Sequence, residues 1–338
     1  MSRTSQVQLF LLVLILGFLA GPRVMLALQG DEVPLDTTAR ATELASVEGA
    51  VSATSSPEKE ISTIVVPVSP FERVTLEAKS VYVWDIKEHR VLYAKNERTQ
   101  LPLASVTKMM MALVAVDLLP ADKHVTITPD DLREDGDTGL LAGESWTLAK
   151  LLDFTLVTSS NDGASAIASV AGASLLREAT TTDPFANKKM FIERMNAKAK
   201  AIGLEDTTFS NESGLDLNSV TGGAYGTARD MGMLFEYIFR KHPALFTPTT
   251  YAKIDLRSED DIVHHVANTN AGVATVSGII GSKTGYTDLA GGNLVVVVDI
   301  GIDHPIVVAV LGSTRTGRFL DVEHLIDAAV ESVTTPAL

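Results

Sequence analysis

Two runs of valine and isoleucine near the C-terminus limit the folds that this chain can adopt. Residues 293–300 and 305–311 have the composition of buried strands, and only residues 301–304 separate them. So short a connection permits an antiparallel hairpin but not a parallel crossover, which needs about a dozen residues. The sequence therefore predicts an antiparallel sheet at this end of the chain, followed by a helix over about residues 317–333.

A second pair of strand-like segments lies nearer the N-terminus. Residues 80–86 and 90–94 are rich in Val, Tyr, Trp and Leu, and the polar residues 87–89 join them. Between the two strand regions, residues 148–239 have a mostly helical pattern. These patterns predict an α+β fold: an antiparallel β-sheet flanked by helices, with a mostly helical subdomain inserted between the N- and C-terminal strands.

The residues before the first strand divide into two segments by composition. A basic residue precedes an apolar run over residues 7–20, and small residues follow, so residues 1–28 are expected to be a signal peptide or an N-terminal membrane anchor. Residues 29–70 are acidic and rich in Ser, Thr, Ala and Pro, which predicts a flexible linker. Residues 71–338 are expected to form the folded domain. We expect an exported, periplasmic or extracytoplasmic protein whose membrane attachment, if it has one, uses residues 7–28 at the N-terminus.

Composition excludes several kinds of partner and chemistry. The net charge of −14 argues against nucleic acid, because phosphate binding requires clustered Lys and Arg. The chain has no cysteine, which excludes disulfides, thiolate nucleophiles and cysteine-based zinc sites. His264 and His265 are the only close pair of histidines, and adjacent residues of a strand point to opposite faces. We therefore expect neither a metal site nor another cofactor.

The first of three short motifs that could carry chemistry consists of Ser105 and Lys108. An apolar helix is expected to begin near Ser105, and residues three apart share a helix face, so the Lys108 amine can lie beside the Ser105 hydroxyl. A lysine can remove the serine proton when burial or a neighbouring cation lowers its pKa. Alone, this S-x-x-K pattern is weak, since a helix-capping serine and a solvated lysine have the same spacing.

The second motif is the polar segment Ser159-Ser160-Asn161. In a cleft, the Ser159 hydroxyl can relay a proton to a leaving amine. The Asn161 amide can hold a substrate carbonyl and orient Lys108. Polar loops between helices are also common without any such role, so this motif too gains its meaning from its neighbours.

The third motif is Lys283-Thr284-Gly285-Tyr286, just before the valine-rich strands. A cation and a hydroxyl on a strand edge can bind a substrate carboxylate. Gly285 would let a substrate backbone approach closely and pair with the strand. A simple turn that enters a strand is the alternative interpretation.

Together and in this order, the three motifs form the set that marks penicillin-binding proteins and class A β-lactamases. Further segments make residues 79–333 resemble the low-molecular-mass D-alanyl-D-alanine carboxypeptidases. The resemblance implies their β-lactamase/DD-peptidase-like fold and their reaction. The segments that carry it are residues 93–96, 102–109, 143–148, 151–152, 159–162, 195–196, 203–204, 208–211, 213–216, 268–270 and 283–287.

What the resemblance implies for the reaction can be assigned residue by residue. Ser105 would attack the carbonyl between the two terminal D-alanines of a peptidoglycan stem peptide, with Lys108 as general base. Ser159 would help to pass the proton to the leaving D-alanine, and Asn161 would orient the substrate and Lys108. The acyl-enzyme would then be hydrolysed without a cofactor.

The same resemblance implies how the substrate is held and inhibited. Lys283 and Thr284 would bind the terminal carboxylate, and the backbone N–H groups of Ser105 and Tyr286 would form the oxyanion hole. β-Lactam antibiotics would acylate Ser105 durably as covalent inhibitors. Ser282 departs from the family pattern, which usually has an apolar residue before the lysine, and we expect it to soften strand packing without touching the chemistry.

Three alternatives remain open from the sequence. A DD-endopeptidase, which cuts peptidoglycan cross-links, would use the same groups as a carboxypeptidase. A β-lactamase needs a glutamate in an E-x-x-x-N element, and Glu193 and Asn196 are one residue too close for that spacing. A non-catalytic wall-binding or β-lactam-sensing module is the third alternative, against which the intact motifs argue.

Overall fold

The computed structural model of the chain describes residues 69–175 and 184–334. The expected signal peptide or anchor over residues 1–28 lies outside the described residues, as does all but the end of the expected linker over residues 29–70. The chain divides into two units, and the described residues all belong to the second, Val65–Leu338.

A five-stranded antiparallel sheet forms the main sheet of the fold. In spatial order its strands are β10 (Ile279–Thr287), β11 (Gly291–Asp299), β12 (Pro305–Ser313), β1 (Ser80–Asp85) and β2 (Arg90–Lys95). Both predicted hairpins are confirmed, as β11 with β12 and as β1 with β2. Val81 pairs with Val310, so the hairpin of β1 and β2 completes a sheet whose other three strands come from the C-terminal end.

Most of the helices lie between β2 and β10 in the chain, and the last one follows β12. In the described residues these are α1 (Lys108–Leu118), α2 (Leu148–Thr158), α3 (Asn161–Ala173), α4 (Pro184–Ala201), α5 (Ala228–Lys241) and α6 (Gly317–Thr334). The last of them confirms the predicted C-terminal helix. The helix that we expected to begin near Ser105 begins at Lys108, after a 3₁₀ turn over Ala104–Thr107. None of the helices in the described ranges combines the length and apolar character needed to cross a bilayer.

Both faces of the sheet are buried, which explains why β11 and β12 are apolar without alternation. On one face, Val295 and Val297 share a core with Leu234 of α5 and with the buried helix α1. On the other face, Val296 packs in a second core with Val322 of α6. The sheet therefore lies between α6 and the larger helical part of the molecule, as the α+β prediction required.

The prediction of a mostly helical stretch over residues 148–239 is only partly correct. Helices α2 to α5 occupy much of it, but residues 202–227 form loops and two short strands. Glycines recur in this segment and disfavour helix, because they lose the most backbone freedom on folding. The short strands of the molecule are β3 (Leu101–Pro102), β6 (Thr208–Phe209) and β7 (Ala224–Gly226) in one small sheet, β4 (His124–Thr126) with β5 (Ser145–Thr147), and β8 (Lys253–Arg257) with β9 (Val263–Ala267).

Candidate active site

Ser105 lies in the 3₁₀ turn that leads into α1. The residue before it, Ala104, has a φ of +47°, which is unusual for a residue with a side chain. Gly214 packs so closely against the Ala104 carbonyl that a Cβ at position 214 would overlap it. The neighbouring loop therefore holds the turn in a conformation that an isolated chain would avoid.

Lys108 is fully buried, and its amine makes three hydrogen bonds. Nζ donates to Ser105 Oγ at 2.9 Å, to Asn161 Oδ1 at 2.7 Å and to the Ser213 carbonyl at 3.1 Å. Desolvation lowers the pKa of Lys108 from its ordinary value of 10.5 to about 7, against the opposing effect of the Glu212 and Glu134 carboxylates. An amine with such a pKa can accept a proton near neutrality.

The reversal between α2 and α3 presents Ser159 and Asn161 to Lys108 and Lys283. Ser159 ends α2 in the left-handed conformation, with φ 64° and ψ 31°, and Ser160 caps α3 by accepting from the Gly163 N–H at 3.0 Å. Asn161 is the first residue of α3, and its Nδ2 donates to the Asp135 carbonyl at 2.6 Å. Its Oδ1 is thereby directed to the Lys108 amine.

Strand β10 contributes the third motif from the edge of the main sheet. The buried Lys283 Nζ donates to Ser159 Oγ at 2.9 Å and to the Thr284 carbonyl at 3.0 Å. Desolvation lowers the pKa of Lys283 well below its ordinary range, and the cations of Lys108 and Arg318 lower it further. The Thr284 hydroxyl lies 2.7 Å from the Thr269 hydroxyl. The three motifs thus form one connected cluster.

Gly285 makes a close contact within the protein that the sequence did not predict. A Cβ here would lie 2.8 Å from the Leu103 carbonyl oxygen and 3.1 Å from the Ser105 nitrogen. The space that glycine leaves is therefore filled by the chain itself, which brings β10 against the turn that carries Ser105. Tyr286 is 41% exposed, and the Arg315 guanidinium lies 5.1 Å from its ring centroid.

Ser282 does not soften the packing of β10, contrary to our expectation. Its hydroxyl accepts from Asn270 Nδ2 at 2.9 Å, and its backbone N–H donates to Thr249 Oγ1 at 3.0 Å. Both partners are buried. This serine therefore links β10 to the segments before it, because its polar atoms are satisfied inside the fold.

Several residues of the site could not be identified from the sequence. The Ser213 carbonyl accepts from Lys108, although the segment 213–216 had attracted notice only through the resemblance. Arg318 of α6 donates from Nη1 to the Gly285 carbonyl at 2.6 Å. Nothing in the local pattern around Arg318 predicts this contact, because it depends on how α6 packs across the sheet.

His264 and His265, the adjacent histidines considered above as metal ligands, each contact a carboxylate instead. His264 Nε2 lies 2.7 Å from Glu144 Oε1 inside the protein, whereas His265 Nδ1 lies 2.7 Å from Asp255 Oδ1 at the surface. The two side chains therefore point to opposite faces of β9, as predicted. In the parts of the chain that the structure describes, no three His, Asp or Glu residues are grouped so as to hold a metal ion.

Comparisons with known proteins agree with this geometry. Residues 66–315 match the family Peptidase_S11, described as D-alanyl-D-alanine carboxypeptidase. The chain is 28% identical to the D-alanyl-D-alanine carboxypeptidase DacF of Bacillus subtilis over 78% of this chain and 64% of DacF. It is also 28% identical to a D-alanyl-D-alanine endopeptidase of Pseudomonas aeruginosa, over 65% of this chain and 66% of that protein. It thus spans slightly less than two thirds of these relatives.

A solved structure extends the likeness to the fold. The crystal structure of D-alanyl-D-alanine carboxypeptidase from Mycobacterium tuberculosis H37Rv is similar with a TM-score of 0.65 and 25% sequence identity. The match covers 78% of this chain and 94% of that one. The predicted β-lactamase/DD-peptidase-like architecture is therefore confirmed.

Proposed function

Because this chain belongs to the D-alanyl-D-alanine carboxypeptidase family, we propose that it is a serine-type peptidase that removes the terminal D-alanine from peptidoglycan stem peptides. The observation that carries the proposal is the 2.9 Å contact between Lys108 Nζ and Ser105 Oγ, together with the Lys108 pKa of about 7. This contact joins a hydroxyl to a base that can take its proton at neutral pH. The Lys283 amine, which donates to Ser159, supplies a hydrogen-bond donor for a carboxylate.

In the first half of the proposed reaction, neutral Lys108 removes the Ser105 hydroxyl proton, and Oγ attacks the carbonyl carbon of the penultimate D-alanine. The backbone N–H groups of Ser105 and Tyr286 stabilise the oxyanion, an interaction worth about 3 kcal/mol per donor. As the C–N bond breaks, the proton on Lys108 passes through Ser159 to the amine of the leaving D-alanine, which returns Lys108 to its neutral form. Asn161, which accepts from Lys108, keeps the base and the substrate aligned.

The second half of the proposed reaction returns the enzyme to its starting state. Water attacks the ester carbonyl with Lys108 again as base, and Ser105 regains its proton.

Lys283 and Thr284 hold the terminal carboxylate of the substrate. Because a carboxylate favours the charged form of a neighbouring amine, substrate binding would raise the pKa of Lys283. Gly285 keeps this strand edge close to Ser105, so that an extended peptide can pair with β10.

The test of this proposal is mass spectrometry of the protein after incubation with penicillin. We expect a stoichiometric covalent adduct on the peptide that contains Ser105, and none on the variant Ser105→Ala. The β-lactam is expected to react because its strained amide mimics the terminal dipeptide. Absence of an adduct on the unmodified protein would contradict the assignment, and fast catalytic turnover of nitrocefin would indicate a β-lactamase instead.

A DD-endopeptidase is a second candidate function, because a relative of comparable identity carries that name. The same serine and lysine would cut the bond between a D-alanine and the cross-linked side chain of a neighbouring stem peptide. Product analysis separates the two reactions. Release of D-alanine from uncross-linked pentapeptides supports the carboxypeptidase, whereas conversion of cross-linked dimers to monomers without such release supports the endopeptidase.

We also propose that the protein is exported and acts on the outer side of the cytoplasmic membrane. The support is the composition of residues 7–28 and the location of the proposed substrate in the cell wall. Cell fractionation with N-terminal sequencing tests this. A mature chain that begins after residue 28 indicates a cleaved signal, and an intact chain in the membrane fraction indicates an anchor. Recovery of the intact protein from the cytoplasm would contradict export.

A further inference from the structure

A group of three charged side chains lies near Lys108, outside the three motifs of the candidate site. Lys188 of α4 extends its amine between two carboxylates, with Nζ 3.1 Å from Glu134 Oε1 and 3.4 Å from Glu212 Oε1. The three residues come from separate parts of the chain. We call them the Lys188 bridge. None of them belongs to the three sequence motifs.

Each of the two glutamates of the Lys188 bridge precedes a residue whose backbone carbonyl accepts a hydrogen bond from a side chain of the candidate site. Glu212 precedes Ser213, whose carbonyl accepts from Lys108 Nζ at 3.1 Å. Glu134 precedes Asp135, whose carbonyl accepts from Asn161 Nδ2 at 2.6 Å. The bridge therefore connects the two segments that support the Lys108 amine and its amide partner.

The carboxylates also act on Lys108 through their charge. Both favour the ammonium form of Lys108, with Glu212 the stronger, and so oppose the desolvation that lowers its pKa. The Glu212 side chain is only 6% exposed, so solvent screens its charge weakly. Left unpaired, it would keep Lys108 protonated to a higher pH, and a protonated amine cannot take the serine proton.

The cation of Lys188 is the compensating charge. Although desolvation opposes it, Glu212 and Glu134 raise the pKa of Lys188, and Asp131 adds to their effect. Lys188 is therefore charged at neutral pH. The Lys283 amine of β10 also interacts electrostatically with Lys108, and the Arg318 cation acts on Lys283 in turn.

We propose that Lys188 is a positioning residue that neutralises Glu212 and Glu134, and so allows the buried amine of Lys108 to act as a base near neutral pH. The inference rests on the proposed function, since it needs Lys108 as the base for Ser105. Lys188 contacts neither the nucleophile nor the substrate groups, and it acts only through the charges that it balances.

The test measures the rate constant of acylation by penicillin as a function of pH for Lys188→Met. We expect the acidic limb of this pH profile, where the rate constant rises with pH, to move to higher pH in the variant. A shift of one pKa unit would lower the rate about tenfold near pH 6 and leave it unchanged at alkaline pH. Lys188→Arg keeps the cation and is expected to retain the unmodified profile. Lys189→Met removes a cation from the adjacent exposed position, which has no ion pair among the residues that the structure describes, and is the matched control.

Glu212→Gln provides the opposite test, and it covers the case in which Lys188→Met does not fold. Removing this carboxylate should move the acidic limb to lower pH, and the double variant Lys188→Met/Glu212→Gln should return it towards the unmodified position. An unmoved limb in Glu212→Gln, or an equal loss at every pH in Lys188→Met, would overturn the inference. If penicillin does not acylate the unmodified protein at any pH, the proposed function fails instead, so the two failures are distinguishable.

Discussion

Two lysine amines are buried within one site, and the burial determines what each can do. Lys108 and Lys283 are both almost inaccessible to solvent, which disfavours their charged forms. Each keeps hydrogen-bond acceptors, Asn161 and the Ser213 carbonyl for Lys108 and the Ser159 hydroxyl for Lys283. The result is that Lys108 is a base near neutrality, whereas Lys283 is a buried donor with a lowered pKa that can bind a carboxylate.

This pKa predicts how the rate of acylation by penicillin depends on pH. Protonated Lys108 cannot accept the Ser105 proton, so the rate should rise as the pH increases and reach half its maximum near pH 7, the pKa of Lys108. Lys108→Arg should be inactive throughout, because its guanidinium stays protonated. Stopped-flow or quenched acylation assays across the range measure this. A rate that is constant through this pH range would contradict the role of Lys108 as base.

Among the elements, the contact between β10 and the 3₁₀ turn of Ser105 is the one that joins the sheet to the nucleophile. Gly285 permits the approach because a side chain would meet Leu103 and Ser105. Arg318 of α6 donates to the Gly285 carbonyl from the other side. The edge strand is thus held in place on both sides, which keeps its binding groups at a fixed distance from the serine.

The substitution Gly285→Ala tests this contact. The added methyl group would lie 2.8 Å from the Leu103 carbonyl oxygen, so we expect β10 to shift away from the turn. Acylation by penicillin should fall at least tenfold, and the free energy of unfolding should fall by about 1–3 kcal/mol, as for other overpacked sites. Urea unfolding and the acylation rate measure the two effects.

Gly301→Ala is the matched control for that substitution. Gly301 lies between β11 and β12, and a Cβ there would meet nothing within 4 Å. Both its stability and its acylation rate should stay close to those of the unmodified protein. Equal effects at the two glycines would show that the loss is unrelated to the contact with the nucleophile turn.

The candidate site lies where the helical part and the sheet meet. The turns and helices before the C-terminal strands carry four of its residues, Ser105, Lys108, Ser159 and Asn161. The sheet carries Lys283. Because β1 pairs with β12, the five-stranded sheet is complete only when residues from both ends of the folded unit come together. The site therefore depends on the complete unit Val65–Leu338.

It follows that the unit Val65–Leu338 should suffice for the chemistry. A chain that lacks Met1–Ile64 is expected to fold, to unfold cooperatively in urea and to be acylated by penicillin at the rate of the longer chain. All described contacts of the candidate site lie within this unit. A marked loss of acylation in the shortened chain would show that the N-terminal segment takes part in the site.

Much of the architecture could be predicted because it depends on short-range patterns. The valine-rich segments and their short connection predicted the hairpin of β11 and β12, and the alternation of strand and helical regions predicted the fold class. The irregular segment 202–227 was missed, since its glycines interrupt a region whose flanks are helical. The effect of Ser282 on packing was predicted incorrectly, and the contact of Gly285 with the nucleophile turn was missed, because the atoms that surround both residues come from distant parts of the chain.

The amino-acid order alone was enough to pair Ser105 with Lys108, because residues three apart meet within one turn of helix wherever that turn is packed. Packing was needed for everything that makes the pair reactive. The desolvation of Lys108, its bond to Asn161, and the bond between Lys283 and Ser159 across 124 positions of sequence all arise from long-range contacts. The charge balance at Lys188 is of the same kind, because burial and electrostatic fields depend on which segments are neighbours in space, and local spacing carries no information about them.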